Sequence, residues 1–315
     1  MKYNILVTGC GGDIGQSIGK ILKKNSYLNK LFGCDISDEN AGKFIFDNFF
    51  IAPRCTEPNY LDFISEYIKE NEIDFVIPIA EPELRFLSEK GITSNIGAAK
   101  LIMASARAQN IGFDKMETAN FLKTEGLPYP ETSYIDEVNF VEKFPIILKS
   151  AVGSGSSKVF KVMDKDEFLF YKKHNPDFIV QEFLDGRLGE FTCGLFRSKS
   201  GDVRSIILKR QLMGGFSGYG EVVAHEEISK LLNQIAEKIE LVGSINVQLR
   251  LTEKGPIVFE INPRFSSTVL FRDMLGYNDL IWSIEDMADL KISSFINDSV
   301  GKKFYKGFAE YISNK

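Results

Sequence analysis

The chain has 315 residues, of which 44% are hydrophobic and 26% charged, with 26 Phe, 11 Tyr and 26 Gly. That length predicts about two domains, and the apolar content excludes wholesale disorder. Lys and Arg total 38 against 43 Asp and Glu, a formal net charge of −5, and no segment carries a clustered basic stripe, which makes nucleic acid a poor first choice of partner.

No apolar run reaches the roughly 18 to 20 residues of a membrane span. The opening MKYNILVTG runs straight into a strand pattern without an apolar signal region or cleavage site, so a cytoplasmic protein is expected. Cys10, Cys34, Cys55 and Cys193 show no CxxC spacing, and His174 and His225 stand far from each other and from any Cys. Packing or surface roles are expected of them in preference to metal ligation or nucleophilic catalysis.

From Asn4 the pattern is strand, glycine turn and helix: a short apolar run to Val7, then Thr8-Gly-Cys-Gly-Gly-Asp-Ile-Gly15, then Ile14, Ile18, Ile21 and Leu22 at helical spacing. A second strand at Leu31–Cys34 ends in Asp35, about 20 residues after the last glycine, where a dinucleotide fold places its ribose-binding acid. Gly9, Gly12 and Gly15 also have a plainer reading, in which small residues let the helix pack close to the sheet. Strands at Phe49–Ala52 and Phe75–Ile79 and helices at Tyr60–Glu70 and Leu84–Glu89 continue the alternation. The first ~110 residues read as an open, mostly parallel α/β sheet. A short-chain dehydrogenase would also need a Tyr-x-x-x-Lys pair to supply its acid; the single such spacing is Tyr311 with Lys315.

After Phe113-Asp114-Lys115 comes a helix, Met116–Thr124, closed by Gly126 and Pro128. The strand Phe144–Ser150 ends in Lys149 and leads into Gly153, Ser154, Gly155, Ser156 and Ser157, followed by a strand at Val159–Val162. A lysine beside a Gly/Ser hairpin suits a polyphosphate, which takes a point charge and closely approaching backbone N–H groups; taken alone, the loop is an exposed hairpin tip. It lacks the GxxxxGK[ST] pattern. Asp177–Leu184 reads as a strand whose edge can face an adenine, with Glu190 placed to accept from ribose hydroxyls.

Ser244–Leu251 and Ile257–Arg264 read as a two-stranded hairpin turning at Glu253–Pro256. Glu260 and Asn262 lie two apart and face one side, where Gln248 of the partner strand joins them. Three oxygen donors with one carboxylate suit Mg²⁺ (or Mn²⁺) that also takes phosphate oxygens. Arg264 sits where a guanidinium could hold a γ-phosphate or an acyl phosphate.

In this order Phe113-Asp-Lys115, Leu127-Pro-Tyr-Pro, Phe144–Lys149, the 153–157 loop, Gln181–Gly186, Glu190, and Asn246-Val-Gln248 with Glu260-Ile-Asn-Pro-Arg264 resemble the ATP-grasp superfamily. They are most similar to one synthetase module of the carbamoyl phosphate synthetase large subunit. The resemblance implies a fold of α/β plus α+β type: a Rossmann-like N-terminal domain over 1–112, a small lid subdomain over 113–187, and a large subdomain with a C-terminal tail over 188–315. It implies Lys115 and Lys149 on ATP phosphates under the 153–157 lid, Glu182, Phe183 and Leu184 at the adenine, Glu190 at the ribose, and Gln248, Glu260 and Asn262 on the metal. Arg210 and Arg264 would stabilise the transferring phosphoryl group. The implied reaction is attack of a carboxylate on ATP to give an acyl phosphate, then attack of an amine, with ADP and phosphate released.

The chain departs from carbamoyl phosphate synthetase in having one module and no glutaminase, which puts carbamoyl phosphate formation in doubt. Met213–Glu221 reads as a flexible loop near the acceptor side. Arg272 is then a candidate for a substrate carboxylate, against a plain surface loop. Glu81 and Glu83 are either solvated helix-start carboxylates or partners of an amine in the same cleft. The expected partners are small-molecule carboxylate and amine substrates, with no nucleic acid and no membrane, and with a homodimer as the oligomeric option. The rival functions are an NAD-dependent short-chain-type oxidoreductase and a non-catalytic ATP-binding sensor module.

Overall fold

The computed structural model describes residues 2–153 and 158–312. The first unit comprises β1 (Tyr3–Thr8), α1 (Asp13–Leu22), β2 (Leu28–Asp35), β3 (Asn48–Ile51), α2 (Tyr60–Glu70), β4 (Phe75–Pro78), α3 (Glu81–Glu89), β5 (Asn95–Ile96) and β6 (Ala99–Leu101). They form a six-stranded sheet in the order β3-β2-β1-β4-β6-β5, parallel except for the β5–β6 pair. Strand period decides the layers. Ile5 and Val7 of β1 face one core with Ile18 and Leu22 of α1, while Leu6 faces the other with Ile64 and Ile68 of α2. At Gly15 a Cβ would stand 2.5 Å from the Cys10 Cα, so this glycine serves the close approach of α1 to the end of β1.

The second unit comprises α4 (Ala106–Phe113), α5 (Lys115–Thr124), β7 (Thr132–Tyr134), β8 (Ile146–Ser150), β9 (Val159–Val162), α6 (Lys165–His174) and β10 (Phe178–Glu182). Its strands form an antiparallel sheet in the order β7-β10-β8-β9. The Asp114 side chain caps α5 by accepting from the Met116 N–H at 2.7 Å, which fixes Lys115 at the first helical position.

The third unit comprises β11 (Glu190–Arg197), β12 (Val203–Met213), β13 (Phe216–Val222), α7 (Glu226–Ile239), β14 (Gly243–Thr252), β15 (Gly255–Asn262), α8 (Val269–Met274), α9 (Asp279–Met287) and β16 (Lys303–Tyr305). The sheet is antiparallel, ordered β15-β14-β11-β12-β13-β16. Cys193, Leu195, Ile207, Val247 and Ile261 bury one face against Ile228, Leu232, Ile235 and Ile239 of α7; each aliphatic side chain so buried contributes about 2 kcal/mol. The opposite face changes character along its length. At one end Phe196, Ile206, Leu208 and Val222 pack on Tyr277, Trp282 and Phe304. At the other it carries Glu190, Arg210, Gln248, Arg250 and Glu260, cross-strand neighbours in register. Helices α8 and α9 cover the apolar end and also bury Val269, Leu280, Ile281 and Ile284 in the core of the first unit. They join the N-terminal unit to the large sheet.

Two readings of the sequence need correction. Met213–Glu221 is no flexible loop: past the turn at Gly214–Gly215 it is strand β13, paired with β12 on one side and β16 on the other. The Ser244–Arg264 hairpin is one edge of the six-stranded sheet, because β14 also pairs along its length with β11.

Candidate active site

A cleft of about 930 Å³ lies among the three units. The second unit contributes Lys115, Lys149 and Gly153 to its lining. Lys149, 5% exposed, donates from Nζ to the Phe259 carbonyl at 3.3 Å. That carbonyl belongs to a bulge in β15, where Gln248 pairs with Glu260 but Leu249 pairs with Val258. Burial lowers the Lys149 pKa to about 8, against the opposing attraction of Glu260 and with further lowering by Lys115 and Arg250. Lys115 donates from Nζ to the Gly153 carbonyl at 2.7 Å, and from its backbone to Ala151 at 2.9 Å. It therefore stands at the root of the β8–β9 connection. Ser154, Gly155, Ser156 and Ser157 lie outside the described residues, so the lid assigned to them is not located here.

Glu182 and Leu184 also line the cleft, and the backbone N–H of Glu182 donates to Glu131 at 2.8 Å. The Phe183 ring meets the Lys161 ammonium, 4.4 Å from its centroid. Glu190 carries two guanidiniums: Oε1 accepts from Arg210 Nη2 at 2.9 Å and Nε at 3.2 Å, and Oε2 accepts from Arg250 Nη2 at 2.8 Å and Nε at 3.0 Å. Arg210 also donates to Gln248 Oε1 at 2.5 Å, and Arg250 to the Leu184 carbonyl at 2.7 Å. This network orients both arginines and joins the end of the small sheet to the large one. Arg250 was not singled out in the sequence. Its signal was present in the alternation Asn246, Gln248, Arg250, which puts all three on one face.

Gln248 stands opposite Glu260, and Asn262 opposite Asn246, on the cleft face. The side chains of Glu260 and Asn262 make no hydrogen bond to a described residue. No cluster of three or more His, Cys, Asp or Glu occurs among the described residues, so a metal here would rely on amide oxygens and one carboxylate. Such a donor set fits Mg²⁺ that completes its shell with phosphate and water oxygens. Arg264 follows on the cleft wall, donating from Nη1 to the Phe265 carbonyl at 3.0 Å. Burial draws its pKa down, opposed by Glu81 and Glu260.

The structure does not bring the three weaker substrate candidates to the cleft lining. Arg272 is fully buried: it donates to Asp279 at 3.1 Å, to Ser266 at 3.0 Å and to Asn246 Oδ1. Asp279 in turn accepts from Ser244 at 2.6 Å, and Asn246 accepts from Thr192 at 2.9 Å. The guanidinium thus supports the sheet from beneath and is closed to a substrate carboxylate. Glu83 is 5% exposed and accepts from Thr8 and Tyr60; burial raises its pKa. Glu81 turns to Arg85, accepting from its Nε at 3.0 Å. The carboxylate that the first unit does present is Asp13, beside Gly12. Asp35 accepts from the Gly11 N–H at 2.8 Å, which engages the acid that a dinucleotide reading assigns to a ribose. Tyr311 stacks on Phe44, and Lys315 lies outside the described residues. All four cysteines are free, and neither they nor the histidines line the cleft.

Comparison with known proteins places this geometry. Residues 113–268 match the ATP-grasp domain family, and residues 5–99 match the PylC-like N-terminal domain. A D-alanine–D-alanine ligase of Rhodococcus jostii is 26% identical over 229 residues, covering 59% of this chain and 61% of the ligase. The carbamoyl phosphate synthase large chain of Pyrococcus furiosus is 22% identical over 294 residues, 84% of this chain and 27% of that one. In fold, an ADP complex of N5-carboxyaminoimidazole ribonucleotide synthetase superposes with a TM-score of 0.75 at 16% identity, covering 96% of this chain and 80% of that chain. The resemblance read from the ordered motifs is borne out, as is a mixed α/β fold with the N-terminal unit ahead of the grasp. No helix among the described residues is long and apolar enough to cross a membrane.

Proposed function

From the premise that this chain carries an ATP-grasp domain behind a PylC-like N-terminal domain, we propose that it is an ADP-forming carboxylate–amine ligase working through an acyl phosphate. One observation carries the reading: Lys115 at the head of α5 and Lys149 of the small sheet line the same cleft as the donor row Gln248, Glu260 and Asn262 of the large sheet. A nucleoside triphosphate between two sheets needs cations on one side and a metal-binding edge on the other.

Lys115 and Lys149 hold the phosphates, and the strand end at Glu182–Leu184 takes the adenine. Glu190 keeps Arg210 and Arg250 aimed at the cleft. Gln248, Glu260 and Asn262 would hold Mg²⁺, or Mn²⁺ in its place, which when bound neutralises phosphate charge. The substrate carboxylate attacks the γ-phosphorus, the bond to the β–γ bridging oxygen breaks, and ADP leaves. Arg264 and Arg210 stabilise the transferring group. The amine then attacks the acyl carbon and loses a proton, and phosphate leaves with the C–O electron pair. The product is an amide or peptide bond. No side-chain nucleophile is required, in keeping with a cleft lined by neither Cys nor His. Closure of the small sheet over the large one would keep water from the mixed anhydride.

The test is phosphate release from Mg·ATP across a panel of carboxylates, each with and without amines. Release that needs both partners is expected, and Glu260→Ala should abolish it while leaving the fold intact by circular dichroism. Full activity in Glu260→Ala would sink the metal assignment; ATP binding without turnover across the panel would favour a sensor module.

A further inference from the structure

Glu190 opens β11, the strand between β12 and β14, and stands directly across from Arg210 on one side and Arg250 on the other. Cross-strand neighbours keep their Cβ atoms roughly 5 Å apart, so the register alone sets a carboxylate between two guanidiniums. Each takes one oxygen. Oε1 accepts from Arg210 Nη2 at 2.9 Å and Nε at 3.2 Å, and Oε2 accepts from Arg250 Nη2 at 2.8 Å and Nε at 3.0 Å. An ionised carboxylate offers about four lone-pair sites, and these N–H groups fill them.

Both arginines are anchored elsewhere as well. Arg210 donates onward to Gln248 Oε1 at 2.5 Å and to Ser217 Oγ at 3.4 Å. Arg250 donates to the Leu184 carbonyl at 2.7 Å, and its guanidinium carbon lies 5.8 Å from the centre of the Phe259 ring. The Glu190 side chain is 16% exposed. Paired charge-assisted contacts are strong in such a partly closed wall, and withdrawing either arginine would leave part of the Glu190 charge uncompensated. Leu184 ends the stretch assigned above to the adenine, so Arg250 stands beside the sugar of a nucleotide bound there. A carboxylate reads a ribose by accepting from its hydroxyls, and Glu190 has no lone pair left to accept with. Glu182, across on the small sheet, accepts from the Glu131 N–H at 3.4 Å.

Resting on the placement of the adenine at Glu182–Leu184, we propose that Glu190 does not read the ribose. It is a positioning residue that pins Arg210 and Arg250, Arg250 screens it from the sugar, and nucleotides lacking ribose hydroxyls are bound at this site as well as their ribose counterparts. Glu190 thus keeps the position that the family resemblance gives to a ribose acid and has a different role there.

The experiment is titration calorimetry of the full chain in Mg²⁺ with ADP, 2′-deoxy-ADP and 2′,3′-dideoxy-ADP. The three should bind within about threefold of one another, whereas a carboxylate that accepts from the hydroxyls would separate them about ten- to a hundredfold. Glu190→Gln should weaken all three by one common factor, because both arginines lose their anchor; a residue that only supported the fold would lower the urea midpoint and leave the affinities in place. Arg250→Met uncovers Oε2 and should create a preference of about tenfold for ADP over the dideoxy nucleotide, with ADP binding itself showing that the variant is folded. A parent that prefers ADP by about tenfold or more overturns the proposal, and if Glu190→Gln erases that preference Glu190 is the ribose acid after all. Equal binding of the three by Arg250→Met also overturns it, since Arg250 would then screen nothing. Binding of none of them by the parent overturns this inference together with the nucleotide site. Phosphate release separates it from the ligase reading: sugar discrimination with turnover removes this inference and leaves the ligase, and equal binding without turnover does the reverse.

Discussion

Lys149 shows how one side chain can cost the fold and serve the site. Its ammonium is almost fully buried, and its pKa falls from 10.5 to about 8. The unfolded chain therefore binds more protons than the folded one between pH 8 and 10.5, and stability contributed by this group rises with pH across that window. Below it the cost is fully present, at about 3 kcal/mol. Lys149→Met should accordingly raise stability by about 2–3 kcal/mol at pH 7, as read from urea denaturation, and the gain should shrink as pH approaches 10. The same variant should weaken ATP binding at least about tenfold. A variant that is less stable than the parent at pH 7 would show that the Phe259 carbonyl contact outweighs the burial cost. In the parent, ATP affinity should fall above pH 8 as the free lysine loses its proton, and binding there should be accompanied by proton uptake.

At the scale of the element, α8 and the β14–β15 pair decide what the large sheet can do. Arg272 of α8 is paired with Asp279 at the head of α9, and both are essentially unexposed. Removing one partner leaves a buried charge, so Arg272→Ala should cost about 3–5 kcal/mol, seen as a lower urea midpoint. A surface residue that merely gripped a substrate would leave the midpoint almost unchanged and raise only a KM. The donor row was legible in the sequence because two-residue periodicity is a local property of a strand. The same reasoning misread Met213–Glu221, whose glycines suggest a loop. At Gly220 a Cβ would meet the Lys209 carbonyl oxygen at 2.2 Å and the Phe304 ring at 2.5 Å; the glycine is there because a strand and a buried ring approach it, and Phe304 lies 84 residues away.

For the whole molecule, the C-terminal segment holds the N-terminal unit to the large sheet. β16 adds a sixth strand and buries Phe304, Lys306 reaches Asp13, and Tyr311 stacks on Phe44 with ring centroids 5.4 Å apart. Phe304→Ala should destabilise the protein by about 3–5 kcal/mol. Lys306→Ala removes a partly exposed ion pair with Asp13 worth no more than about 1 kcal/mol, so it should leave the urea midpoint nearly in place. Equal losses of stability in the two variants would mean that the Lys306–Asp13 pair supports the fold as much as the buried Phe304 ring does.

The sequence by itself determined the features that depend on near neighbours along the chain: strand, glycine turn and helix at the start, a lysine at a strand end before a Gly/Ser turn, and Glu260 with Asn262 on one face of a strand. It also carried the resemblance to the ATP-grasp superfamily, through motifs in a fixed order, over the residues 113–268 that match that domain. Only the tertiary structure decided which charged groups reach the cleft. Glu81, Glu83 and Arg272 carry suitable chemistry, yet α3 and α8 turn them into neighbouring side chains. Asp13 and Arg250 face the opening. That choice depends on how helices are rotated against sheets distant in sequence, and the rotation is set by the apolar contacts of the assembled core, which no local pattern records.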